Sequence, residues 1–526
     1  MTVVSGKRRG RGEDSIFWDD AKNGHVRVVS VRYSPSGTHE RKKVMGRIKA
    51  EVREKLEELH QAVVQIRLPG GMEAGRMSSV VVVGAGLAGL AAARRLVAGG
   101  HEVVVVEARD RVGGRTEGLL LADGTPLELG GQWIGEGHTR IRELAGELGL
   151  STFRTWNDEG QLLLELQGRR SRMSPRKGAV PRISPFALAD LAQGLARFAR
   201  LARRADLERP WLTPGAEVLD GQTWESWIRR NLRTGAGRAY FHVACEAVWA
   251  AEPSDISLLH ALFYTHSNAD LDTLLAVDRG AQQDRVTGGS HLVAETMAAG
   301  LGDRVMLGSP VRRIEHDDNG VRVIARDGSQ YAGGAAIVTL PPALAGRLDY
   351  DPPLPSWRDQ LTQKMPAGSV IKAYALYPEP FWRRDGLNGQ AASDTGPVKV
   401  TFDNSPPSGT PGVLMGFLEG NQARTWARRS PADRQEAVIG CFVRYFGPAA
   451  ARPVQYLERD WMAEQFTRGC YGAHFAPGTW TAYGQAWRAP IGRLHWAGTE
   501  CASRWHGYME GAIRNGETTA DTVSAL

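Results

Sequence analysis

Three glycines, Gly84, Gly86 and Gly89, stand in the spacing G-x-G-x-x-G, and Glu107 comes 18 residues after the last of them. This is the arrangement a dinucleotide pyrophosphate needs. Gly84 permits a tight turn, Gly86 lets bare backbone approach the phosphates, and Gly89 brings a helix close to a strand. The first turn of that helix, with Leu87 and Ala88 in it, offers N–H groups to the phosphate charge. Glu107 can accept hydrogen bonds from a ribose hydroxyl. A second candidate for chemistry is Lys372. Strand alternation over 369–377 puts it on one face with Val370, Tyr374 and Leu376, where a lysine is rare. The ordinary alternative is an edge lysine whose stem reaches out to solvent.

The elements that hold these residues surround them in the chain. Residues 80–83 form a short, wholly apolar stretch, the mark of a strand buried in a parallel sheet. A helical pattern runs through Leu90, Ala91, Ala92, Leu96 and Val97 until Gly99 and Gly100 stop it, and 101–106 reads as the second strand. Strand, glycine turn, helix, strand and terminal acid predict an α/β fold with a Rossmann-like dinucleotide-binding domain.

Composition narrows the classes. At 526 residues, 42% apolar and 23% charged, the chain is neither disordered nor a small disulfide scaffold, and its length suggests several domains. Its 62 glycines suit a loop-rich α/β enzyme better than a helical bundle. Four widely spaced cysteines (Cys245, Cys441, Cys470, Cys501) give no zinc spacing and no disulfide framework, so no metal site and a reducing, cytoplasmic setting are expected. The most apolar run, 79–93, is too short to span a membrane, and no apolar segment succeeds the early basic residues, so neither a membrane anchor nor a signal peptide is expected. The charge is uneven. Residues 1–77 hold 16 of the 65 basic and 10 of the 58 acidic side chains, a net +6 out of +7. Any nucleic-acid contact would therefore run through the N-terminal segment alone.

The residues after Glu107 separate the flavin from the nicotinamide nucleotides. Glu107, Ala108, Arg111, Gly113, Gly114 and Arg115, with Arg109 at one of the open positions, continue the motif as E-A-x-x-R-x-G-G-R, which resembles the FAD-binding fingerprint of the flavin amine oxidase superfamily. The resemblance implies that Arg115 neutralises the pyrophosphate and that Gly131, Gln132 and Trp133 form the next flavin-contacting turn. The segment 468–523 closely resembles the C-terminal region of monoamine oxidases, with A-G-T-E at Ala497 to Glu500 and G-Y-M-E-G-A at Gly507 to Ala512. It implies that Gly498, Thr499, Glu500 and Met509 hold flavin and that the last helix aims its N-terminus at the flavin pyrimidine. A partial positive charge there favours the anionic reduced ring. Tyr471 and Tyr508 match the family's aromatic cage, two rings that steer an amine nitrogen by their π faces. Cys470 matches the cysteine that carries an 8α-thioether to FAD. Lys372 takes the place of the lysine whose bound water meets flavin N5, and Val311 a place beside the adenine. Arg468 stands where the family usually has glycine, and Cys501 and His506 replace more usual hydroxyl residues.

The likeness spans about 78–524 and implies an FAD-dependent monoamine oxidase. A primary or secondary amine is oxidised to an imine and then an aldehyde while O2 becomes H2O2, and a homodimer is implied. The expected layout is a discontinuous FAD-binding domain (78–160, 280–345 and 465–526) and a substrate domain of mixed sheet and helices (161–279 and 346–464). The stretch 165–280 reads as helical, with an arginine-rich face (Arg197, Arg200, Arg203, Arg204), and Trp249, Phe263 and Tyr264 are candidate cavity walls. A diamine or polyamine oxidase is the rival, needing a distant carboxylate for which Glu252 and Asp270 are available. An L-amino-acid oxidase would need an arginine for the substrate carboxylate.

The N-terminal segment reads as strands at 15–18, 26–33 and 41–44, a helix over 48–64, and a linker at Pro69, Gly70 and Gly71. Residues 8–66 resemble the arm-type DNA-binding domain of actinobacterial phage integrases, a small ββ(β)α unit. The recombinase domain expected after it is absent. A gene-fusion remnant in 1–70, or a true start at Met72 or Met77, is preferred to a working DNA-binding module on an inert flavin fold. Salt-sensitive DNA binding that disappears from residues 78–526 alone would reverse that preference.

Overall fold

Five short parallel strands carry the glycine-rich turn. In spatial order they are Val305–Met306, Glu102–Val106, Ser79–Val83, Ala335–Val338 and Leu494–Trp496. The computed structural model describes residues 15–19, 24–33, 39–46, 79–175 and 180–526. The central strand is an almost unbroken run of valines because both of its faces are covered, and Val81 and Val82 are wholly buried. Helix Leu87–Ala98 packs on one face, and helix Met509–Ser524 crosses it where Gly516 meets Ala88. A methyl group at Gly516 would lie 2.2 Å from the Ala88 carbonyl oxygen, so the close crossing depends on glycine.

A second sheet of seven strands builds the other half. Its order is Arg169–Met173, Gln161–Leu166, Leu387–Ser393, Val400–Asp403, Gly412–Glu419, Val370–Tyr377 and Gln455–Asp460. Gln161–Leu166 runs parallel to Leu387–Ser393 and the other pairs are antiparallel, so the sheet is mixed. All eight residues of Val370–Tyr377 are buried. Ile371, Ala373, Ala375 and Tyr377 face the core beneath helix Pro431–Phe446, while Val370, Tyr374 and Leu376 face the opposite core. Helices Pro185–Ala202, Gly235–Trp249 and Leu258–Ser267 pack around Trp224, Trp227 and Phe241. Of the four arginines expected on a solvated helix face, Arg200, Arg203 and Arg204 reach solvent, and Arg197 bonds Asn231 at the surface.

One expected boundary moves. Strand Asp349–Asp351, assigned from the sequence to the substrate part, pairs in parallel with Val311–His316 in a four-stranded sheet on the nucleotide side. Residues 77–526 form one unit, separate from 1–76. In the N-terminal unit, strands Ser15–Asp19, Gly24–Tyr33 and His39–Gly46 pair antiparallel in chain order, covering the three stretches read as strands. The helix expected at 48–64 and the linker at Pro69 lie outside the described residues. Among the described residues no helix is long and apolar enough to cross a membrane.

Candidate active site

The glycine turn opens on a cavity of about 740 Å3 that runs from the parallel sheet to the mixed sheet. Gly84 has φ +106°, a conformation glycine adopts readily. A methyl group at Gly89 would lie 2.0 Å from the Gly84 carbonyl oxygen, so Gly89 lets the helix close onto the turn and does not itself line the cavity. At Gly86 a methyl group would meet nothing within 4 Å, so bare backbone faces open volume. Gly114 approaches from the far side, its missing Cβ 3.3 Å from the Gly86 Cα. Glu107 is 4% exposed and accepts from the N–H groups of Ala85 (2.8 Å) and Arg109 (2.9 Å). Each oxygen keeps a further lone pair. Helices Leu87–Ala98 and Met509–Ser524 both begin at the cavity without a side-chain cap, leaving first-turn N–H groups for a ligand. Bare backbone, two uncapped helix ends and a carboxylate at a strand terminus suit a dinucleotide.

Ala108, Arg109, Arg115, Gly131, Gln132, Trp133, Val311, Gly498, Thr499 and Met509 line the same cavity. Glu500 lies just behind that lining. It is 3% exposed, and its two oxygens accept from Arg115 at 2.5 and 2.9 Å. Its Oε1 also accepts from the Ala473 N–H. Arg115 donates in addition to the Tyr471 carbonyl at 3.0 Å. The arginine's charge is thus balanced inside the protein. Arg109 is held similarly, against Glu107 at 3.5 Å and Glu464 at 3.1 Å.

Lys372 is 4% exposed and lines the cavity from its strand. Nζ donates to the carbonyls of Glu128 (2.7 Å) and Gly130 (2.8 Å) and to Gln132 Oε1 (2.5 Å). These use all three ammonium protons. Burial pulls its pKa down to about 7, with Glu128 opposing that and Arg285 adding to it. Glu128 and Arg285 form a buried ion pair at 2.8 Å. Above pH 7 a neutral amine has two protons left, so one of the three contacts must open.

Tyr471, Tyr508 and Cys470 all line the cavity. The Tyr471 ring meets Phe417 edge-on at 5.9 Å, and its hydroxyl donates to Glu419 Oε1 at 2.7 Å. Tyr508 packs against His138 (5.2 Å), Trp505 (6.0 Å) and Tyr264 (6.3 Å). Burial pushes both cage phenols above their usual range and pushes the Cys470 thiol up to about 12. Arg468 takes a left-handed φ of +60°, the conformation that favours the family's glycine. Of the three proposed walls, Tyr264 lines the cavity. Trp249 packs instead on Trp224, and Phe263 between Trp480 and Trp487.

The substrate end is mostly apolar, with Gln282, Gln390 and Thr401 among its lining residues. Leu162, Leu164 and Leu166 line it from one strand, with Met173, Val243, Leu274 and Leu275 around them. Glu252 and Asp270, the carboxylates proposed for a second ammonium, lie outside it. Glu252 accepts from the Asn421 N–H at 2.7 Å, and Asp270 caps helix Leu271–Leu275. The sequence reading missed Phe417, Glu419 and the carbonyls around Lys372. Phe417 and Glu419 sit after Leu414 and Met415 in an ordinary strand pattern, and the carbonyls have no side-chain signal at all.

Residues 87–524 match the family described as flavin containing amine oxidoreductase, and the chain belongs to that family. FAD is the cofactor this membership implies. The chain is 42% identical over 447 residues to a protein named as a putative flavin-containing monoamine oxidase AofH of Mycobacterium tuberculosis, covering 85% of this chain and 96% of that one. It is 38% identical over 454 residues to an L-amino acid dehydrogenase of Synechocystis, covering 85% and 94%. A solved putrescine oxidase with bound putrescine superposes with TM-score 0.81 at 33% identity, covering 85% of this chain and 99% of the other. The protein is an FAD-dependent amine oxidase. The family match begins at Leu87, so the integrase likeness of residues 8–66 gains no support from it.

Proposed function

We propose that the protein oxidises an apolar primary or secondary monoamine to an imine, which hydrolyses to the aldehyde, with O2 reduced to H2O2. One observation carries this reading: the described substrate end presents leucines, Met173 and Val243 beside the neutral polar Gln282, Gln390 and Thr401, and no carboxylate. A diamine needs an acceptor for its second ammonium, and a buried unpaired ammonium is costly. An α-amino acid needs a cation for its carboxylate. The arginines lining the described cavity are Arg109, Arg115, Arg312, Arg326, Arg347 and Arg468, none of them among the leucines of the substrate end, and Arg109 and Arg115 are already paired with carboxylates.

FAD, when bound, supplies two-electron uptake from the amine's α-carbon and delivery to O2. The protein's own part is to bind and orient. Tyr471 and Tyr508 flank the amine nitrogen, and the leucine-lined end takes the hydrocarbon and excludes water. Arg115, tied to Glu500, and the uncapped helix ends hold the cofactor's charged portion. Lys372 holds a proton at Nζ below pH 7 and releases it above, which frees one of its three acceptors for a water. Cys470, which lines the cavity, is the residue we propose for a thioether to the flavin. In that case acid-precipitated protein keeps its yellow colour.

Anaerobic bleaching of the visible flavin band tests the substrate class, with benzylamine, tyramine, putrescine and L-phenylalanine in separate cuvettes. Bleaching by the monoamines, with colour and peroxide returning on air, is the expected result. Bleaching by putrescine alone or by L-phenylalanine alone overturns the monoamine reading in favour of a diamine or an amino acid.

A further inference from the structure

We propose that Glu419 is a positioning residue of the amine site, holding the Tyr471 phenol from behind the cavity wall. This rests on the reading of Tyr471 as a wall of that site. Glu419 is 2% exposed and does not line the cavity. Its Oε1 accepts from Tyr471 Oη at 2.7 Å, while its Oε2 has no hydrogen-bond partner. It ends strand Gly412–Glu419, and Phe417, two residues earlier on the same face, meets the Tyr471 ring edge-on. One strand therefore grips Tyr471 twice. Phe417 fixes the tilt of the ring, and Glu419 fixes the place of its hydroxyl.

The groups facing Glu419 come from several elements. Glu246, on helix Gly235–Trp249, accepts from Lys399 Nζ at 2.6 Å. Glu252 approaches Gly420, next to Glu419, and accepts from the Asn421 N–H. Beyond them Asp255 pairs with Arg424 at 2.9 Å. Lys399 is the ammonium among the carboxyls Glu246, Glu252 and Glu419. Burial pushes Glu419 up to about 8, the Tyr471 hydrogen bond and Lys399 oppose this, and Glu246 adds to it. At neutral pH Tyr471 thus donates to an uncharged carboxylic acid. Above pH 8 it donates to a carboxylate, a stronger bond that places negative charge behind an electron-rich ring. Such a ring holds a substrate as its ammonium, whose nitrogen has no lone pair to form the imine. A protonated Glu419 keeps the phenol in place without that penalty.

The test uses holoenzyme and benzylamine. E419L is expected to raise KM by about three- to tenfold with kcat within about twofold, the worth of one lost hydrogen bond. In a Y471F background the same substitution should add nothing, because the donor is gone. E419Q keeps an acceptor and cannot ionise. The ratio of wild-type to E419Q kcat/KM should fall by about two- to fivefold as pH rises through 8. Ionisation of benzylamine and Lys372 is common to both proteins and cancels in the ratio, whereas Glu246 is coupled to Glu419 and its titration belongs to the same effect. Overturning results are an unchanged KM in a flavin-loaded E419L, a KM shift of the same size in the Y471F background, or a flat ratio from pH 6 to 9.5. If E419L does not fold, the E419Q ratio decides alone. Wild-type benzylamine kinetics in Y471F would remove the cage reading itself. Impaired Y471F with unaffected E419L removes only the role of Glu419.

Discussion

Replacing Glu500 by glutamine should weaken the protein by about 3 kcal/mol and make Cys470 more reactive. The Glu500 carboxyl is 4% and the Arg115 side chain 24% exposed, and two hydrogen bonds join them. Removing one partner of a buried pair costs about 3–5 kcal/mol, and the quarter of Arg115 still open to water places this case at the lower end. An amide keeps one acceptor but turns an NH2 donor toward the guanidinium. The second effect runs through Cys470. Burial pushes its thiol up to about 12, Arg115 pulls it down, and Glu500 pushes it up. Without the Glu500 charge the pull of Arg115 is unopposed, so the thiol pKa must fall. Burial raises the Glu500 carboxyl, but the charge and hydrogen bonds of Arg115 outweigh that and hold it below its usual value. Its contribution is therefore present above the ordinary glutamate pKa and is lost as pH falls through the lowered folded value. Urea unfolding of wild type and E500Q at pH 7 measures the first effect, and the gap should close in acid. Iodoacetamide alkylation of flavin-free protein between pH 7 and 10, with C470A as blank, measures the second. Unfolding free energies within about 1 kcal/mol of each other at pH 7, or alkylation no faster than in wild type, would refute the reasoning.

Two glycine variants should separate folding from cofactor binding. G86A adds a methyl group into open volume, so thermal stability should hold while flavin content drops. G89A drives a methyl group against the Gly84 carbonyl and should lower stability by about 1–3 kcal/mol as well, read by thermal melting. C470A should release all its flavin on acid precipitation, whereas wild type should retain colour in the pellet. The Lys372 pKa is lowered in the folded state, so the unfolded chain binds more protons between about pH 7 and its ordinary value near 10.4. Stability relative to K372M should therefore rise with pH across that window, and urea midpoints at pH 6.5, 8 and 9.5 would show it.

The nucleotide half was legible because its signals are local. Strand, turn, helix and acid lie within 79–107, and Gly89 answers the Gly84 carbonyl inside that stretch, although Gly84 itself meets the distant Thr339. The face of Lys372 was legible by alternation, but its partners were not. Glu128 and Gly130 lie more than 240 residues away and offer only backbone carbonyls. Glu500 stood out in its motif, yet spacing says nothing of the Arg115 pair that removes it from the cavity wall. Tyr264 could be nominated as an aromatic on a helix, but Phe263 beside it points into the Trp480 cluster, and that choice depends on how the helix is rolled. The boundary at 345 failed because Asp349–Asp351 joins its sheet through a parallel pairing that no neighbouring residue announces.

The crossing of helix Met509–Ser524 over helix Leu87–Ala98 also bears on when the enzyme can become active. The phosphate turn is synthesised well before the helix that braces it at Gly516 and the edge strand Leu494–Trp496. A ribosome must release residues 494–524 before the pocket closes around its cofactor. Flavin capture then follows release of that segment, and a truncated product ending before 494 should stay colourless however well the phosphate turn folded.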